Sequence, residues 1–130
     1  MAVEIKVPLS PGELVDKITI LEIKSARMTD PAKLANVRTE LGLLQDTWRA
    51  SAYASQDVMS QWAALRTINE KLWDVEDLIR DKERARTFDQ EFIELARAVY
   101  VTNDERAAVK RDINTRLGSK IVEEKSYAKY

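Results

Sequence analysis

Apolar residues recur along this chain at helical spacing from about residue 11 to residue 117, and only a short segment at each end departs from that period. Val3, Ile5 and Val7 alternate with Glu4 and Lys6, a period of two that marks a short strand. Pro8 ends it. Ser10-Pro11-Gly12-Glu13 then gives a helix start: a capping serine, proline at the first helical position and a glutamate three residues on. A first helix is predicted from about Pro11 to about Met28. Asp30-Pro31 repeats that grammar. The helix after it carries the stripe Leu34, Val37, Leu41, Leu44 and Trp48, spaced by three and four. Residues 51–55 are small and polar and predict a loop.

The third helix is predicted from about Gln56 to about Arg84, with Val58, Trp62, Leu65, Ile68, Leu72, Val75 and Ile79 as its stripe. Thr87-Phe88-Asp89 breaks it, and Asp89 can cap a fourth helix whose face is Phe92, Leu95, Ala96 and Val99. Thr102 to Asp104 predicts a brief turn. A fifth helix follows to Leu117, with Gly118 as the left-handed stop. Ile121 and Val122 give the tail moderate β character. A strand there would pair with Val3–Val7 in a two-stranded ribbon joining the termini; the alternative is a frayed tail. The expected architecture is mainly α, one domain over residues 1–130, with five helices in an antiparallel bundle and that terminal ribbon as an optional addition.

Composition narrows the chemistry. There is no Cys and no His among 130 residues. Thiol catalysis, disulfides, imidazole bases and the usual zinc sites are therefore excluded. Any metal would have to be a hard ion held by carboxylates. No cofactor is expected. The formal net charge is −1 with both signs spread along the chain, so the basic stripe that nucleic-acid binding needs is missing. No apolar run reaches membrane-spanning length and no signal-peptide core is visible, which leaves the cytoplasm as the expected compartment.

Charges that fall inside an apolar stripe carry more information than charges on a polar face, because burying one unpaired costs several kcal/mol. Winding each helix at about 100° per residue puts Glu22 within the arc of Leu14, Val15, Ile18 and Leu21. Asn69, Glu76, Arg80 and Glu83 fall within the arc of Trp62, Leu65 and Leu72. Arg106 sits in the middle of Val109, Ile113 and Leu117, with Lys110 at the border. Glu22, Asn69, Glu76, Arg80 and Arg106 are accordingly the candidate ligand-binding residues. Three explanations fit: a salt-bridge network that sets helix register, a polar pocket for a small anionic ligand clamped by arginines, or an interface between subunits.

Carboxylates at i, i+3 (Glu13/Asp16, Asp74/Asp77, Glu91/Glu94) resemble the acid spacing of all-α Mg²⁺-dependent nucleotide pyrophosphohydrolases. With 22 acidic residues in the chain, such pairs arise by chance. Asp16 and Arg27 faintly resemble the first helix of helical chorismate mutases, without the basic pattern that should follow. Trp48, Trp62 and Trp73 suit core or interface anchors better than a cofactor box.

Three longer segments carry a fuller resemblance: Ser10 to Lys24 (SPGELVDKITILEIK), Ile68 to Arg80 (INEKLWDVEDLIR), and Phe88 to Asn114 with Tyr100, Asn103, Asp104 and Arg106. Together they resemble a family of short bacterial proteins of unknown function, over nearly the full length. The resemblance implies no activity. Two functions follow as expectations: a non-catalytic, self-associating accessory or binding protein, or an enzyme or sensor, Mg²⁺-dependent in one form, that takes an anionic metabolite (phosphate, nucleotide or nucleotide-sugar) at the Glu/Arg cluster. A homo-oligomer is expected; nucleic-acid and membrane partners are not.

Overall fold

The computed structural model describes residues 3–130, and among them every regular element is a helix: α1 Pro11–Arg27, α2 Pro31–Ala50, α3 Met59–Arg84 and α4 Gln90–Leu117. The starts follow the capping chemistry. The Ser10 side chain accepts from the Glu13 backbone N–H at 3.2 Å, Asp30 from Lys33 at 2.9 Å and Asp89 from Phe92 at 3.0 Å. Each satisfies a backbone donor that has no partner inside its helix. Gly118 closes α4 at φ 64°. Helix α3 begins at Met59, after the buried Val58, three residues later than the apolar period alone suggests.

Among the described residues the helices number four, where the pattern predicts five. Thr102-Asn103-Asp104 continues α4 without a turn. These residues are weak helix formers, but each costs only about 0.5 kcal/mol relative to alanine. The stripe runs on at helical spacing through Val99, Thr102, Arg106, Val109 and Ile113, and α4 packs against α3. Tertiary burial outweighs the local preference.

The expected ribbon is also absent among the described residues. Residues 3–9 have no regular structure and are exposed, and the tail from Ser119 is likewise without regular structure but folds back along α4. Lys110 Nζ lies 2.8 Å from Glu123, Arg111 pairs with Glu124 at 3.2 Å, and the Tyr130 hydroxyl donates to Asp104 at 2.5 Å. Tyr130 also meets Tyr100 edge to face at 5.3 Å. These side-chain ties outcompete a short two-stranded pairing, which is marginal by itself.

Helix α1 is the centre of the molecule and packs against each of the other three. Val15, Ile18 and Thr19 are fully buried. Val15, Val58, Leu65 and Ile113 form a core cluster, with Trp48, Trp62, Val109 and Leu117 packed around it. At about 1.5 Å per residue, α3 is roughly 39 Å long and α1 roughly 26 Å, so the far end of the α3–α4 hairpin overhangs α1. Leu78, Phe88 and Ile93 there are about half exposed.

Lys110 fastens three elements. It is buried, with Glu13 of α1 at 2.5 Å and Glu123 of the tail at 2.8 Å. Burial alone would lower its ammonium, but the hydrogen bonds to Glu123 and Glu13 and the charges of Glu13 and Asp16 raise it above the ordinary lysine value. The same bond holds the Glu123 carboxyl below its ordinary value. The pH dependence follows. Glu123 contributes fully above the ordinary glutamate pKa of about 4.3 and loses its contribution as pH falls through the lower folded value; Lys110 contributes below about 10.4 and loses its share as pH rises through the higher folded value. The Tyr100–Tyr130 contact, followed by NMR, should therefore persist between those limits and fade outside them. In Glu123→Gln it should already be weakened at pH 7.

Candidate functional site

Two open grooves flank the meeting of α1 and α3. The first, of about 300 Å³, lies at the junction of α1, α3 and α4 and is lined by Ile20, Ile23, Asn69, Leu72, Trp73, Glu76, Asn103 and Arg106. The second, of about 410 Å³, lies at the junction of α1, α2 and α3, with Glu22, Trp48, Val58, Met59, Trp62 and Arg66 among its lining residues.

Of the five residues singled out from the sequence, the fold brings Asn69, Glu76 and Arg106 to the first groove. Asn69 forms its inner wall. It is buried, and its amide nitrogen donates to Asp16 Oδ1 at 2.9 Å and to Thr19 Oγ1 at 3.0 Å. Thr19 in turn donates to the Asp16 backbone carbonyl at 2.8 Å. Both amide hydrogens are thus used inward, and the Asn69 carbonyl oxygen is left for the groove. Arg106 is half-buried and, among the described residues, has no ion-pair partner. Glu76 pairs with Arg80 one turn along α3. Trp73 forms an apolar wall and is itself backed by the Arg27 guanidinium, 5.8 Å from the ring centre. Arg27 is held there by Asp74 at 2.6 Å.

Glu22 belongs to the second groove. It accepts from the Trp62 indole at 3.2 Å and faces Arg66 at 3.9 Å. Both residues lie on α3 but before Asn69, on the side of α1 that faces α2, so helical phase alone does not distinguish the two grooves. Arg80 is exposed and lines neither groove; Glu83 is exposed as well. Helical phase sets both within the arc expected to be buried, but at that end of α3 the shorter α1 does not cover them.

Sequence reasoning weighs Asp16 only as one of the paired acids and as part of a family likeness, not as a neighbour of Asn69, although its 4% exposure makes it the most deeply buried carboxylate among the described residues; it reads Asn103 as part of a turn. Asn103 lies three residues before Arg106, and Trp73 lies between Asn69 and Glu76 at the same helical spacing. The first signal becomes visible once α4 is known to be continuous; the second is present in the α3 stripe itself. The paired acids take separate partners: Glu13 goes to Lys110 and Lys17, Asp16 to Asn69, Asp74 to Arg27, and Glu91 to Lys82. Among the described residues no three acidic groups converge as metal ligands do, and no helix is long and apolar enough to cross a membrane. Thr102 adds a fully buried hydroxyl with no hydrogen-bond partner among the described residues.

The geometry describes a four-helix protein with a small amphipathic groove: a free guanidinium, amide groups, a carboxylate and a tryptophan wall. The chain belongs to a family of unknown function (DUF6165), whose model matches residues 5–130. No curated protein and no solved structure matches the chain.

Proposed function

We propose that this is a non-catalytic, self-associating binding module of the bacterial cytoplasm, and that its α1–α3–α4 groove takes a small anionic metabolite such as a nucleotide or nucleotide-sugar. The observation that carries the reading is Arg106: a half-buried guanidinium that makes no ion pair among the described residues, its charge acting on Glu123 of the tail only at longer range, beside Asn103 and the Trp73 wall. A guanidinium is expensive to desolvate without an anion, and its fork matches a phosphoryl or carboxylate group. Arg106 would take the anionic group, Asn103 and the Asn69 carbonyl would meet hydroxyl or amide groups, and Trp73 with Ile20, Ile23 and Leu72 would cover an apolar face. Glu76 would accept a hydroxyl while Arg80 offsets its charge. A volume of about 300 Å³ suits a small metabolite. The closed salt-bridge alternative is disfavoured because Arg106 and Glu76 do not pair with each other.

Titration with inorganic phosphate, nucleoside monophosphates and nucleotide-sugars, followed by calorimetry and thermal denaturation, tests this. At least one of these probes should bind. Arg106→Gln should abolish that binding while changing stability by no more than about 0.5 kcal/mol, as for a residue without a structural partner. Arg80→Gln should leave binding within a few-fold of the parent. A several-kcal/mol loss of stability in Arg106→Gln, or no binding by any of the three probe classes, sinks the reading.

A further inference from the structure

We propose that residues 3–7 form an antiparallel β ribbon with the same residues of a second copy, centred on Ile5. This deepens the self-associating part of the function proposed above and is independent of what the groove binds. Val3, Ile5 and Val7 lie in a segment without regular structure and are 80%, 90% and 67% exposed. Among the described residues no backbone hydrogen bond engages residues 3–9. An exposed stretch of alternating apolar residues with unpaired backbone groups can serve as a template for another strand.

The sequence Val3-Glu4-Ile5-Lys6-Val7 is self-complementary in one register only. When two copies run antiparallel with Ile5 opposite Ile5, Val3 faces Val7 and Glu4 faces Lys6, twice over by the two-fold axis. Cross-strand opposite charges stabilise a pair and like charges destabilise it. The parallel in-register arrangement sets Glu4 beside Glu4 and Lys6 beside Lys6, and is disfavoured on that ground. Pro8, with no N–H to donate, ends the ladder.

The amount of surface agrees. The chain exposes 9121 Å², about 2,000 Å² more than the roughly 7,000 Å² expected of a compact monomer of its mass. A stable dimer needs about 800 Å² from each partner. A bare two-stranded ribbon is marginal, so its apolar face must also be covered. The surface next to it is suited to that. Lys110 holds both Glu13 and Glu123, which sets the tail beside the start of α1, and Ile121 and Val122 there are 43% and 47% exposed, with Leu9 at 39%.

Sedimentation equilibrium of the full chain tests the proposal. The parent should dimerise. Ile5→Asp should weaken dimerisation by roughly tenfold or more. Glu4→Lys and Lys6→Glu should each weaken it, and the double exchange should restore it. All these positions precede the Ser10 cap, so helicity by circular dichroism should match the parent in every variant. The chain contains no cysteine, which permits a second measurement. With oxidised glutathione, Ile5→Cys should cross-link between copies. Val3→Cys should not, because antiparallel pairing separates the two copies of position 3 by about 14 Å, beyond disulfide reach.

A parent that stays monomeric up to about 1 mM, or a dimer indifferent to Ile5→Asp, overturns the interface. Cross-linking at both positions, or no rescue by the double exchange, overturns the antiparallel register. Arg106→Gln should dimerise like the parent and Ile5→Asp should bind groove ligands like the parent, so failure of one proposal is distinguishable from failure of the other.

Discussion

Gly12→Ala is expected to destabilise the protein by about 3 kcal/mol, the sum of overpacking and a strained buried hydrogen bond. Gly12 is in the first turn of α1, where that helix meets α4 almost backbone to backbone. A methyl group there would lie 2.4 Å from the Lys110 carbonyl oxygen and 2.8 Å from Asn114 Oδ1. The first contact is with main chain inside a helix, so no rotamer change relieves it; α1 must move away from α4. That movement stretches the bond from the Gly12 N–H to Asn114 Oδ1, now 2.7 Å and buried. It also shifts Glu13 from Lys110, loosening the tail. Gly42 supplies the control. It lies within α2, where an added methyl would meet nothing within 4 Å, so Gly42→Ala should stabilise by about 0.5–1 kcal/mol through helix propensity alone. Urea denaturation of the two variants against the parent measures both signs in one experiment.

The Gly12 contact shows what periodicity conveys and what it leaves out. The Ser10-Pro11-Gly12-Glu13 signature locates the start of α1 correctly because capping is local chemistry, settled within four residues. Nothing in those four residues says that α4 will pass within van der Waals distance, which is a property of the assembled fold. The same division applies to the site. Helical phase points Asn69, Glu76 and Arg106 towards the interior, because the direction of a side chain around its own axis is local, and the structure buries Asn69 and half-buries Glu76 and Arg106; it sets Lys110 only at the border of the face, yet Lys110 is buried because Glu13 and Glu123 close over it. It misplaces Arg80 and Glu83, because burial also depends on whether a neighbouring helix extends that far, and α1 is nine residues shorter than α3. It groups Glu22 with Arg106 because phase does not distinguish the α2 side of α1 from the α4 side. The extra turn predicted at Thr102–Asp104 fails for a related reason: a stretch of weak helix formers ends a helix only when packing does not require it to continue.

Asn69→Ala is expected to cost about 3 kcal/mol, because it strips a buried carboxylate of its donor and leaves a small cavity. Asp16 is 4% exposed and its carboxylate accepts from the Asn69 amide; among the described residues it has no other hydrogen-bond donor. Thr19 also loses that amide. Asn69→Asp should cost more than Asn69→Ala, since it sets a second carboxylate where the amide lay 2.9 Å from the first. In a double-mutant cycle with Asp16→Ala, the combined loss should be smaller than the sum of the single losses, because removing both partners leaves no orphaned charge. Chemical denaturation of the two single variants and the double variant gives the coupling directly. The result bears on the two explanations of a charged line inside a helical stripe, network or pocket. Asn69 belongs to both: its amide nitrogen serves the Asp16–Thr19 cluster, and its carbonyl lies on the groove that Arg106 shares. Stability and ligand response should therefore fall together in Asn69→Ala and separate in Arg106→Gln, which divides the line between Asn69 and Arg106 into a part that holds α1 to α3 and a part free to meet a ligand.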